Sequence, residues 1–178
     1  MALTSDIQKI RYGSPIDHQP IEYAVGKGAS GQTLYRGSVA LISGGTTVTK
    51  GYLKNAATPA SNDNVVGLID GYGPSCGQAN TGPGIGGTTL NTADGVLTAN
   101  VVTGTWILQG GTGSDALTIS NIQSPVYLIN ENTVGATNGG GTRPVAGLLV
   151  QVPATDASIP VGCVVVQLGT QNGPWGGV

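Results

Sequence analysis

The chain of 178 residues is built from small side chains, with 31 Gly, 10 Pro and no Phe, and only 9% of it is charged, against about 25% in an ordinary soluble domain. The 7 basic and 9 acidic residues leave a net charge of −2, which argues against a nucleic-acid binder with its basic stripe. No apolar window reaches membrane-spanning length. The Gly and Pro content alone would suit disorder, but Val, Leu and Ile are abundant and the net charge is small, which favours a folded β-rich chain of single-domain size.

In chain order, residues 1–30 carry isolated apolar side chains (Ile7, Ile10, Tyr12, Ile16, Ile21 and Tyr23) between polar residues, with Pro15 and Pro20 among them. The prolines forbid a continuous helix and favour an extended path. This segment is predicted to be an arm that buries its apolar residues on another surface; the alternative is a first strand of the chain's own barrel. Its opening, Met1 to Gly13, lacks the apolar core of a secretory leader, so synthesis in a cytoplasm is expected. Charge is uneven: Lys9, Arg11, Lys27, Arg36, Lys50 and Lys54 precede residue 55, and only Arg143 follows. The positive end reads either as a docking end or as chance among few charges.

Beyond the arm, short apolar runs alternate with turn residues: Ser38–Ile42, Val65–Ile69, Val96–Val102, Thr105–Leu108, Val126–Ile129, Val145–Val150 and Val161–Leu168. Runs of this length bounded by Gly, Asn and Asp are strand signals. The best helical periodicity, Asp115–Gln123, is short and ends at Pro125. The fold class predicted is therefore all-β, a small barrel or sandwich over 31–170 with Gly-rich loops, and a tail over 171–178 containing Trp175. Gly71–Gly87 is read as one long Gly/Pro loop. Val39-Ala-Leu-Ile then Val66-Gly-Leu-Ile is echoed by Val126-Tyr-Leu-Ile then Val145-Ala-Gly-Leu-Leu. That would suit a pseudo-duplicated barrel, although any Gly-rich β chain offers such matches.

Motifs for chemistry are weak. Gly26 to Gly31 matches G-x-G-x-x-G, but no helix follows and Lys50 stands where a ribose-binding acid belongs, so the match is read as a turn. Gly73-Pro-Ser-Cys-Gly77 matches a nucleophile elbow, but the single histidine, His18, precedes both Asp70 and Ser75 and lies in the arm. No metal set or paired carboxylates are apparent, so neither enzyme activity nor a cofactor is expected. With two cysteines there is no disulfide framework: Cys163 is expected to be a free, buried small hydrophobe and Cys76 a loop residue.

Val126-Tyr-Leu-Ile-Asn-Glu-Asn-Thr-Val134, followed by Thr142-Arg-Pro-Val-Ala-Gly147, resembles the small capsid decoration (cement) proteins of tailed bacteriophages, and Tyr35–Ala40 with Val65–Ile69 resembles that family's opening strands. The resemblance covers about residues 30–170. It implies a β-rich homotrimer on the capsid exterior of a virion, with the major capsid protein as partner. The arm then becomes the docking element, with Ile7, Ile10, Tyr12, Ile16, Ile21 and Tyr23 buried on the capsid and Lys9 and Arg11 facing its carboxylates. Neither nucleic acid nor membrane is an expected partner. A receptor- or glycan-binding module of a tail fibre or spike, using 71–87 and Trp175, is the alternative.

Overall fold

A computed structural model of the chain describes residues 21–28, 32–69, 85–86 and 93–168. Among these the fold is all-β, as the strand signals predict. The strands are β1 (Ile21–Ala24), β2 (Thr33–Leu34), β3 (Val39–Ile42), β4 (Leu53–Lys54), β5 (Asn64–Ile69), β6 (Ile85–Gly86) and β7 (Thr98–Val102). They continue with β8 (Gly104–Gly110), β9 (Pro125–Asn130), β10 (Thr133–Gly135), β11 (Val145–Gln151) and β12 (Cys163–Leu168). The weakly helical stretch forms only two 3-10 turns, Gly113–Asp115 and Ile119–Asn121, the second held by a capping box between Thr118 and Asn121.

Strands β1, β7, β5, β3 and β4 lie side by side in that order in one sheet, while β8, β12, β11, β9 and β10 form a closed barrel. These are the same arrangement made twice. Ile21 and Tyr23 oppose Val101 and Ala99 in the first unit, as Trp106 and Leu108 oppose Val166 and Val164 in the second. Ala40 and Leu41 oppose Gly67 and Val65, as Val126 and Tyr127 oppose Gly147 and Val145. Both of these ladders skip one residue, Val66 and Ala146 respectively, at a shared bulge. Leu68 faces Val102 as Leu148 faces Gln167, and Ile42 faces Leu53 as Leu128 faces Val134. The echo in the sequence therefore marks a structural duplication, one residue out of step with the motif match: Ala40, not Val39, is the counterpart of Val126.

Closure differs in extent. In the second unit β10 pairs in parallel with β8, and the Gly111 N–H donates to the Val134 carbonyl at 2.7 Å. In the first, one parallel bridge joins Val25 to Leu53, and the Gly26 N–H donates to the Leu53 carbonyl at 2.9 Å.

Alternation along the strands sends Val25, Ala40, Leu53, Ile69, Ala99 and Val101 into the interior of the first unit. The opposite face, with Val39, Leu41, Val65, Leu68 and Val102, joins Val126, Leu128, Val134, Leu149 and Val166 in a core shared with the barrel. The Val39 N–H donates to the Glu131 carbonyl at 2.7 Å, a direct backbone link between the units.

Four expectations need correction. The arm does not extend to residue 30: Ile21–Ala24 pairs with β7, because Tyr23 and Val25 alternate into the first unit's core. Gly71–Gly87 is not loop throughout, since Ile85–Gly86 pairs with Thr33–Leu34; residues 70–84 and 87 lie outside the described residues. β12 begins at Cys163 rather than Val161. Pro160 to Cys163 is a turn with Gly162 at φ +83°, and it leaves Val161 96% exposed. Finally, Cys163 is buried but disulfide-bonded, not free. Separation along the chain carries no information about which thiols meet in space. Cys76, the other cysteine of the sequence, lies outside the described residues.

Candidate functional site

Of the residues expected to dock, Ile7, Lys9, Ile10, Arg11, Tyr12 and Ile16 lie outside the described residues. The structure places Ile21 and Tyr23 together on β1, the edge strand of the first sheet. Tyr23 packs against the Val25–Val101 core, whereas Ile21 is 52% exposed. His18, Asp70, Ser75 and Trp175 also lie outside the described residues. The G-x-G-x-x-G match explains itself sterically over its described part. A Cβ on Gly26 would collide with Val48, and Gly28 adopts φ +67°, so these glycines serve close packing and a turn.

One open cavity of about 410 Å³ lies beside this turn, between β2, β4 and the 44–49 loop. It is lined by Gly28, Gln32, Thr33, Tyr35, Thr47, Val48, Lys54, Asn55 and Thr58. Its frame is a set of amide bonds that the short strands could not supply alone. The Gln32 side-chain amide donates to the Leu53 carbonyl at 2.7 Å and to the Gly26 carbonyl, and its oxygen accepts from the Asn55 N–H at 2.8 Å. Asn55 Nδ2 in turn donates to the Thr33 carbonyl at 3.2 Å. Val48 is held under the cavity by Ser43 Oγ, which donates to its carbonyl at 2.6 Å.

The floor carries a buried ion pair. Lys54 Nζ donates to Asp63 Oδ2 at 2.8 Å and to the Thr58 carbonyl at 3.1 Å, with the two side chains 3% and 0% exposed. Asp63 also accepts the N–H groups of Gly44 and Ala60, at 2.9 and 2.8 Å, so one carboxylate ties together the loops after β3 and before β5. A carboxylate with this many donors is satisfied despite burial, and it neutralises the lysine. Outside the cavity lining, Asp94 accepts from Thr49 Oγ1 and from the Lys27 N–H; the Thr49 bond first, then the Lys27 bond and the nearby Lys27 charge, hold its carboxyl below the usual carboxylate range.

The second unit has no such cavity frame. Gly135 occupies the position of Lys54, and a Cβ there would lie 2.9 Å from the Asp115 side chain. Asp115 Oδ1 accepts from Thr137 Oγ1 at 2.6 Å and from Arg143 at 2.8 Å, and these bonds lower its pKa, the threonine contributing most.

The cavity residues were not legible from the sequence, because β2, β4 and β6 are two residues long and leave no periodicity to read. Among the described residues no group of three His, Cys, Asp or Glu side chains comes together to hold a metal ion. No family model, curated protein or solved structure matches this chain.

Proposed function

We propose that this chain is a non-enzymatic virion structural protein that binds the outer face of a tailed-phage capsid, as a homotrimer, and stabilises the shell by bridging major capsid protein subunits. The observation that carries the reading is where the resembling segments fall. Val126–Val134 supplies most of β9, the turn after it and the start of β10. Thr142–Gly147 leads into β11, the neighbour of β9. These motifs are therefore contiguous in space, not scattered short matches. The turn is fixed by Asn130 Oδ1, which accepts from the N–H groups of Asn132 and Thr133 at 3.2 and 3.1 Å.

Two further features support the reading. The Cys163 disulfide suits the oxidising surroundings of a virion surface better than a cytosol, and such a bond can form after release. The exposed Ile21 continues the apolar series of residues 7–16 onto the edge of the folded sheet, which gives a docking segment an anchored end. A bridging protein needs no catalysis: it stabilises whichever shell state it binds by RT ln(1+[L]/Kd) at each site.

Co-sedimentation with purified capsid shells of the phage that encodes the chain tests the proposal. The full chain is expected to pellet with shells at a fixed copy ratio. Removal of residues 1–20, which leaves the β1–β7 pairing intact, is expected to abolish pelleting and preserve the far-UV spectrum. A full chain that stays in the supernatant at every shell concentration overturns the reading.

A further inference from the structure

We propose that the cavity of the first unit binds a neutral, polyhydroxylated ligand of saccharide type, a capacity independent of capsid docking. At about 410 Å³ it falls within the roughly 300–1,000 Å³ range of small-molecule sites. Four of its lining residues, Thr33, Thr47, Thr58 and Tyr35, carry hydroxyls, and among the described residues none of these hydroxyls is engaged in a hydrogen bond. Each can both donate and accept, as the alternating donors and acceptors of a polyol require.

Charge selects among polar ligands. Lys54 is the one cation lining the cavity among the described residues, and Asp63 and the Thr58 carbonyl occupy its ammonium group. An anion entering here meets a neutralised, satisfied lysine and gains no charge-assisted bond, so the wall favours a neutral ligand. The half-buried Tyr35 adds an aromatic surface with a polar tip, the combination that takes an amphipathic ring. Rigidity favours binding as well. The Gln32 and Asn55 amides spend their bonds on the backbone of Gly26, Leu53, Thr33 and Asn55 itself, so the wall is formed before any ligand arrives.

The second unit serves as an internal control. It has the same strand plan, but Gly135 replaces Lys54 and the Asp115 side chain fills the space beside it. The buried lysine beside the cavity therefore has no counterpart at the equivalent position of the second unit.

The test is an amide-shift NMR titration of the full chain with D-glucose, D-galactose, D-mannose and N-acetyl-D-glucosamine, and with sodium glucuronate and inorganic sulfate as anionic probes. At least one neutral sugar is expected to shift the amides of Thr33, Tyr35, Asn55 and Thr58 saturably, with a Kd of about 1 mM or tighter. Thr33→Val and Tyr35→Ala are each expected to weaken that sugar at least about tenfold, and Thr137→Val in the second unit to leave it unchanged. Tyr35→Phe, which keeps the ring, separates loss of the hydroxyl from loss of fold. The proposal is overturned if no neutral sugar shifts these amides, if only the anions do, or if the variants bind as tightly as the parent.

Discussion

Asp63 and Arg143 occupy the same position in the two units, each two residues ahead of a valine, Val65 opposite Leu41 of β3 and Val145 opposite Tyr127 of β9, yet they carry opposite charge. Each is neutralised at 2.8 Å, Asp63 by Lys54 of β4, which lies beyond β3 from β5, and Arg143 by Asp115 from the loop after β8. The ion pair thus recurs with its charges reversed. Gly135 stands at the position of Lys54, and the Asp115 side chain lies 2.9 Å from where a Cβ on that glycine would be.

The two pairs should differ in weight. The Lys54–Asp63 pair is almost fully buried, so Lys54→Met leaves an uncompensated carboxylate and is expected to cost about 3–5 kcal/mol. The double variant Lys54→Met/Asp63→Asn removes that charge and keeps an acceptor for one of the Gly44 and Ala60 N–H groups, which bind different carboxylate oxygens, and should regain part of the loss. Urea unfolding of both variants checks the order; a double variant less stable than Lys54→Met contradicts it.

Acid should expose the other pair. The Asp115 carboxyl titrates below its unfolded value, so its stabilisation is fully present above about pH 4 and is lost as pH falls through the lowered folded value. Asp115→Asn is therefore expected to be less stable than the parent at neutral pH and to show a shallower decline in acid. Some slope should persist, because Asp94 and Asp156 are also lowered, the latter by its bonds to Ser158. Urea midpoints followed from neutral pH downward give the comparison.

The repeated glycine of the V-x-G-L strands should be intolerant of any side chain. A Cβ on Gly67 would lie 2.3 Å from the Val102 carbonyl oxygen, and one on Gly147 would lie 1.9 Å from that of Gln167, the equivalent residue. Gly67 also adopts φ +149°. Both Gly67→Ala and Gly147→Ala are expected to destabilise by at least about 1–3 kcal/mol, since the obstructing atoms are backbone. Gly140→Ala, which has φ +71° but open space, separates backbone strain from collision and should be the mildest of the three in thermal unfolding.

Removing the cross-link is expected to lower stability without changing the fold. Cys163→Ser should cost about 2–4 kcal/mol. A reductant should bring the parent to nearly the same urea midpoint and leave the variant unaffected. Equal midpoints for the parent with and without reductant would count against a stabilising disulfide.

The sequence by itself determined the fold class and the longer strands. Apolar runs of four to eight residues between Gly, Asn and Asp turns have a local cause, and β3, β5, β7, β8, β9, β11 and β12 all lie where those runs fall. It also carried the trace of duplication, because the glycine at 67 and 147 answers a backbone approach that recurs in both units. What it could not carry was anything set by contact between distant segments. Strand β1 looked like a free arm because its pairing partner, β7, is far along the chain; β2, β4 and β6 were too short for any period to register. The cavity, the pairing of Lys54 with Asp63 and the disulfide at Cys163 arise only when these pieces meet. The Gly-rich, weakly charged composition alone would suit a disordered chain. Tertiary structure instead buried one of its lysines against an acid, beside a cavity lined otherwise by uncharged residues, because in a dry interior a charge persists only beside its partner.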